Sequence, residues 1–186
     1  MDTVSSQDLA IRGGTTAAQV RKDLSNFGSF GKRGLGYSVL GLSKELRRIL
    51  GLGREWRVAL VGAGRMGSAL FEYPTFRDRG FCIAAILDSD PAKVGRRWGK
   101  IPIRHVDGLE KALEEAKVEI VILAVPAEVA QEIVDRIVTV GVRAILNFAP
   151  RRLLVPAGVT VNDVNMALEL EALTFSLTNR GHETPP

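Results

Sequence analysis

The apolar run Arg57-Val58-Ala59-Leu60-Val61 enters Gly62-Ala63-Gly64-Arg65-Met66-Gly67 without a break, and this restricts the fold of the 186-residue chain more than any other stretch. A nearly continuous apolar run suits a parallel strand covered on both faces. Glycines spaced G-x-G-x-x-G directly after such a strand permit a tight turn, close approach of backbone to a diphosphate, and close packing of the next helix on the strand. The opening of that helix presents free amides and a partial positive charge to phosphates. Further strands are expected at Phe81–Leu87, Glu119–Val125 and Ala144–Phe148, and another at Val159–Val161. Helical patterns lie at Gly67–Phe71, Leu109–Ala116 and Ala127–Val140, with an apolar helix at Met166–Leu177. Strands alternating with helices imply right-handed crossovers and an α/β, Rossmann-type doubly wound parallel sheet.

The second strand is followed by Asp88, twenty-one residues after Gly67. A carboxylate there is placed to accept hydrogen bonds from an adenosine ribose, which favours NAD over NADP because it would repel a 2′-phosphate. Arg96 and Arg97 keep a 2′-phosphate reading open, and a glycine turn without ligand is the plain alternative. Asp90 is expected to cap the Pro91–Val94 turn rather than touch a ligand. Two further loops leave C-terminal strand ends, where open α/β sheets bind ligands. They are Ala124-Val125-Pro126 and Asn147-Phe148-Ala149-Pro150. With the glycine loop they outline one crevice, in which the Asn147 amide could meet a nicotinamide carboxamide while apolar neighbours hold its ring.

The N-terminal third has a different character. Residues 1–57 hold ten Lys/Arg against five Asp/Glu, whereas residues 58–186 hold fifteen against sixteen. Clustered cations suit a polyanion such as duplex DNA, whose counterions they release. A helix is expected to open at Ser5-Ser6 and stop at Gly13-Gly14, and a second to run from Ala17 to Phe27, capped by Thr15 or Thr16 and ended by Gly28. This is a helix-turn-helix layout. Val20, Leu24 and Phe27, at i, i+4, i+7, would form a buried stripe. Gln19, Arg21, Lys22 and Ser25 would then face outward, where such side chains reach base edges or phosphates. The glycine-rich run Gly28–Tyr37 suits a hairpin or wing, from which Lys32 and Arg33 could reach the DNA backbone or a minor groove. A linking helix is expected at Ser43–Leu50. The plain alternative is a solvated basic helix.

Several of these segments together resemble one family. Thr16-Ala17-Ala18-Gln19-Val20-Arg21-Lys22-Asp23-Leu24-Ser25, Phe27–Gly31 and Arg33–Tyr37 resemble the winged-helix head of the bacterial redox-sensing transcriptional repressors named Rex. Gly62–Gly67, Tyr73-Pro74, Asp88-Ser89-Asp90-Pro91 and Asn147-Phe148-Ala149-Pro150 follow in that family's order. The resemblance covers nearly the whole chain. It implies a homodimer that binds operator double-stranded DNA when NAD⁺ predominates and releases it when NADH binds, with the C-terminal helix exchanged between subunits. It also implies that Tyr73, Asn147, Phe148 and Asn165 lie around the nicotinamide end, partly across the dimer. Relative to the family, a first helix bearing an arginine is missing and its aspartate partner is replaced by Asn165, so an ion pair that rearranges with redox state is not expected. Either the gene start lies further upstream or the member is divergent.

The expected organisation is a truncated winged-helix head at 1–53, a Rossmann NAD(H)-binding domain at 54–164, and a C-terminal dimerisation helix and tail at 165–186. The expected cofactor contacts are Gly62, Ala63, Gly64, Arg65, Met66, Gly67, Tyr73, Asp88, Val125, Pro126, Asn147, Phe148 and Asn165. The expected DNA contacts are Thr16, Gln19, Arg21, Lys22, Ser25, Lys32 and Arg33. No metal site is expected. A small NAD-dependent oxidoreductase is the rival reading, but only His105 and His182 are present, the latter in a tail that reads as disordered, and the 36 residues after Pro150 make no substrate domain. A nucleotide- or CoA-binding scaffold without a DNA role leaves the basic head unexplained. No run of about 18 apolar residues suggests a membrane span. The first residues carry no signal-peptide pattern, and the single Cys82 is expected to be a buried thiol. A cytoplasmic repressor without catalytic activity is the expectation.

Overall fold

The computed structural model describes residues 3–28, 31–32 and 36–179. Arg33 and the tail containing His182 therefore lie outside the described residues, as do the side chains of Lys32 and Asn179. The chain divides into two compact units, residues 1–55 and 56–186.

In the first unit, α1 (Ser6–Gly13) begins at Ser5, whose hydroxyl accepts the Asp8 N–H while the Asp8 carboxylate reaches back to the Ser5 N–H. This reciprocal capping satisfies two amides that the first turn would otherwise leave bare. Gly14, at φ 62°, ends α1, and Thr16 caps α2 (Ala17–Ser25) by accepting the Gln19 N–H. The expected hairpin is present as β2 (Gly31–Lys32) and β3 (Gly36–Ser38). β3 also pairs antiparallel with β1 (Thr3–Val4), a strand too short to show in the sequence. Helix α3 (Val39–Ile49) starts earlier than expected, because Ser38 caps it. The expected buried stripe on α2 is corrected. Helix α2 ends at Ser25, where the Asn26 N–H turns back to the Lys22 and Asp23 carbonyls. Phe27 thus lies past the helix and is 54% exposed, while Val20 and Leu24 are half-buried. Ala10 and Leu42 are the buried apolar side chains described in this unit, whereas Ile11, Leu40 and Leu50 stay exposed.

The second unit is built on a seven-stranded sheet. Its strands are β4 (Trp56–Val61), β5 (Phe81–Asp88), β6 (Arg97–Trp98), β7 (Ile101–His105), β8 (Ile120–Leu123), β9 (Ala144–Asn147) and β10 (Thr160–Asp163). The spatial order is β10-β9-β8-β4-β5-β7-β6, parallel throughout except for the antiparallel edge pair β6–β7. Leaving out the edge strand, this is the 3-2-1-4-5-6 order of dinucleotide-binding sheets, and the order reverses between β4 and β8.

The helices of this unit are α4 (Arg65–Phe71), α5 (Pro74–Asp78), α6 (Leu109–Glu115), α7 (Ala127–Thr139) and α8 (Met166–Asn179). Ala59 and Val61 of β4 point to one face, beneath Leu109, Ala112 and Leu113 of α6 and Ala130, Val134 and Ile137 of α7. Val58 and Leu60 point to the other, against Leu70, Phe71 and Phe76. A central strand buried on both faces explains the unbroken apolar run. Cys82 lies at the start of β5 and is half-buried rather than buried, because that end of the strand reaches the margin of the core. No described helix is long and apolar enough to cross a membrane.

Candidate functional site

Strand β4 delivers its glycine loop to the point where the sheet order reverses, and the loop's glycines serve three different purposes. Gly62 turns at φ 103°, and a Cβ on it would lie 2.2 Å from the Ala124 carbonyl oxygen. At Gly67, a Cβ would lie 2.0 Å from the Gly62 carbonyl oxygen, so only glycine lets α4 sit against the strand end. Gly64 differs, because its φ of −84° suits any residue and a Cβ would meet nothing within 4 Å. The space in front of Gly64 is thus open, as backbone approach to a diphosphate requires.

Asp88 faces this loop from the end of β5. Its Oδ2 accepts the Ala63 N–H at 2.6 Å and the Lys93 ammonium at 3.1 Å, and its Oδ1 accepts the Asp90 N–H at 2.8 Å. Burial pushes the Asp88 carboxyl up, but the Asp90 N–H, Lys93 and the Ala63 N–H together outweigh it and hold it below the usual carboxylate range. The group therefore stays an anion, able to accept hydrogen bonds on its remaining lone pairs. Asp90 accepts the Ala92 N–H at 2.9 Å, the capping role expected of it.

These residues border a cleft of about 570 Å³, within the range of small-molecule sites. Gly62, Gly64, Arg65, Met66, Asp88, Val125 and Pro126 line it, so seven of the expected cofactor contacts are brought together. Ala63 and Gly67 are buried just behind them. The sequence reading missed Lys93, the Val106–Asp107 wall, and Val129, Glu132, Ile133 and Arg136 of α7. The last four recur at i, i+3, i+4, i+7, so their shared face was legible, but nothing in the spacing says that it borders a cleft.

The nicotinamide-end expectations fare differently. Asn147 is 1% exposed, and its amide donates to the Arg151 carbonyl at 2.9 Å and to Asp163 Oδ1 at 2.7 Å. Its Oδ1 accepts the Ala149 N–H at 2.9 Å. Both amide hydrogens are thus engaged within the protein, one closing the Asn147–Arg151 loop and the other tying it to Asp163 of β10. Asn165 accepts the Ala167 and Leu168 N–H groups and so caps α8. Tyr73 is 51% exposed with its ring edge against Phe76, and Phe148 packs half-buried beside β4 and β8. None of these four lines the cleft.

In the first unit, the residues expected to contact DNA divide similarly. Gln19 and Lys22 are exposed on α2, with the Gln19 amide donating to Asp23 at 2.6 Å. Arg21 donates to the Ser6 hydroxyl at 2.9 Å and so ties α2 to α1. The Ser25 hydroxyl turns back to the Lys22 carbonyl, and Thr16 serves as the cap. Lys32 lies on β2.

The strand order, the glycine loop and the carboxylate at the end of β5 define a dinucleotide-binding protein of the Rossmann class. Residues 53–151 match the family model described as the CoA binding domain. Over 178 residues the chain is 47% identical to the redox-sensing transcriptional repressor Rex of Desulfitobacterium hafniense, covering 96% of this chain and 85% of that one. The crystal structure of RSP in complex with β-NAD⁺ and operator DNA superposes with a TM-score of 0.90 at 34% identity, covering 98% of this chain and 88% of RSP. RSP in complex with β-NADH gives a TM-score of 0.85 at 33% identity, over 97% and 84% of the two chains. The chain belongs to the Rex family of redox-sensing transcriptional repressors.

Proposed function

We propose that this protein is a homodimeric, cytoplasmic repressor that binds operator DNA through residues 1–53 and senses the NADH/NAD⁺ balance through residues 54–164. The single observation that carries the sensing role is the open space before Gly64, flanked by the Asp88 anion, in a cleft large enough for a dinucleotide. Gly62, Gly64 and Gly67 would shape the backbone cradle for the diphosphate, and Asp88 would accept the adenosine ribose hydroxyls. The exposed basic face of α2, with Gln19 and Lys22, supports the DNA role, and RSP, 34% identical, was crystallised with β-NAD⁺ and operator DNA. Helix α8 supports the dimer, because Leu168, Leu170, Leu173, Phe175 and Leu177 are each more than half exposed. So many exposed apolar side chains on one helix suit a partner rather than water.

Catalytic turnover is not part of this reading. His105 does not line the cleft itself, and its Nδ1 accepts the Asp107 N–H at 3.3 Å, so it shapes the turn after β7. A ligand changes DNA affinity only by as much as it prefers one arrangement over the other. Titrating NADH and NAD⁺ against a labelled operator duplex of a Rex-family relative tests the whole reading. NADH is expected to release the duplex and NAD⁺ to leave it bound. Equal DNA affinity with either dinucleotide, or no binding at low ionic strength, would overturn it.

A further inference from the structure

Beyond the glycine loop, the cleft is also lined by Arg136, which is ion-paired with Glu110. Arg136 on α7 donates from Nε to Glu110 Oε1 at 2.6 Å and from Nη2 to Glu110 Oε2 at 2.7 Å. Nη2 also lies 3.1 Å from the carbonyl oxygens of both Val106 and Asp107. One planar cation thus grips a carboxylate at both oxygens and two consecutive backbone carbonyls, a geometry that an ammonium cannot reproduce. Val106, Asp107 and Arg136 all line the cleft, together with the apolar side chains of Val125, Val129 and Ile133.

The direction of a bound dinucleotide follows from the sheet. With diphosphate at Gly64 and ribose at Asp88 on β5, the base lies further along the sheet, toward the end of β7. The Val106–Asp107 segment directly follows that strand. Only a 3-10 turn, Val106–Gly108, links it to α6. A wall made of so short a turn keeps its place through whatever holds its carbonyls, and Arg136 holds two of them.

We propose that Arg136 is a positioning residue for dinucleotide binding: clamped by Glu110, it fixes the Val106–Asp107 wall against which the adenine half docks. This deepens the sensing role proposed above and rests on it. An exposed ion pair by itself contributes little to stability. The bidentate geometry and the two carbonyls matter instead for where the wall stands, and a displaced wall costs binding more than folding. The adenosine diphosphate half is common to NAD⁺ and NADH, so the effect falls on both alike.

The test uses the full chain and the variants R136M, R136K and E110Q, titrated with ADP, NAD⁺ and NADH, each alongside a melting curve. R136M keeps most of the side-chain volume and removes every donor. It is expected to weaken all three ligands by one common factor of roughly tenfold, the size of a lost charge-assisted hydrogen bond. R136K should recover part of that loss, and E110Q should fall between the wild type and R136M. A pair with a purely structural role would lower the melting temperature while leaving ADP affinity as in the wild type. That result overturns the proposal. So does a change in the ratio of NADH to NAD⁺ affinity, which would place the effect at the nicotinamide end. Should R136M fail to fold, E110Q decides, and wild-type ADP affinity in that variant refutes the clamp. If the wild type itself binds neither ADP nor either dinucleotide, the reading of the cleft falls and takes the clamp with it. Wild-type binding with unaltered variants removes the clamp alone.

Discussion

Substituting Gly64 and Gly67 separately by alanine should divide binding from folding. At Gly67 the new methyl would stand 2.0 Å from the Gly62 carbonyl oxygen and 3.1 Å from its carbon, so the start of α4 must move off the strand end. Overpacking of this kind costs about 1–3 kcal/mol, and a backbone neighbour that cannot rotate away puts Gly67→Ala near the upper limit. In a chain of this length each kcal/mol is roughly 2–4 °C of melting temperature, so a fall on the order of 6–12 °C is expected. Gly64 is already at φ −84° and ψ −165°, and a Cβ there meets no protein atom within 4 Å. Reduced freedom of the unfolded chain favours the alanine by about 0.4–1 kcal/mol. Alanine's poorer helix capping opposes it by a similar amount, so Gly64→Ala should melt within about 4 °C of the wild type. The methyl would nonetheless occupy the space through which a diphosphate reaches the backbone amides. Losing one or two charge-assisted hydrogen bonds corresponds to an affinity loss of roughly ten- to a hundredfold or more. Differential scanning fluorimetry and calorimetric titration with NADH read the two effects on the same samples. Wild-type NADH affinity in Gly64→Ala would refute the cradle, and wild-type stability in Gly67→Ala would refute the packing argument.

Further outcomes follow from the basic helix and the ion pair. Replacing Lys22 by alanine should weaken binding to all duplexes alike and reduce the slope of log affinity against log salt by about 1, the contribution of a single phosphate contact; an unchanged slope in a fluorescence salt titration would remove Lys22 from the interface. NADH affinity should stay at the wild-type value in that variant. Arg136 holds Glu110 at about 2, below its ordinary 4.5. A carboxyl depressed in the folded state contributes stability that is present above its unfolded value and lost as pH falls through the folded one. The melting-temperature gap between the wild type and E110Q should therefore be constant above pH 4.5, narrow below it and close near pH 2. A gap that stays the same down to pH 2 would show that the charge of Glu110 does not contribute.

The glycine loop could be read from the sequence because its requirements are local. An apolar strand, a turn that only glycine can make and a helix start occur within eleven consecutive residues, Arg57–Gly67. The Val106–Asp107 wall of the cleft could not, since it is held by Arg136 of α7, about thirty residues further along the chain. Strand β7 itself is masked by Pro102, which demotes a run to an edge or non-strand reading. In the structure Pro102 pairs only with the edge strand β6, and the pairing with β5 begins one residue later, at Ile103. Helix α5 hides behind Pro74, which sits at its first turn, where proline is tolerated. The structural role of Asn147 was hidden for another reason. A polar residue at a strand end looks like a ligand contact, and only the surrounding Arg151, Ala149 and Asp163 reveal that it ties a loop down. At Phe27 the helical spacing continued in the sequence after the helix had stopped.

Helix α8, within the second unit, carries exposed apolar side chains along its length, and none of its described residues is buried. If a second copy covers it, the chain cannot be diluted indefinitely and keep its function, because separation would hand that surface back to water. The threshold at which genes are silenced would then depend on how many copies the cell holds as well as on its nicotinamide pool. Two mutually dependent halves would also dictate a two-fold-symmetric reader, and such a reader would call for an inverted-repeat DNA site.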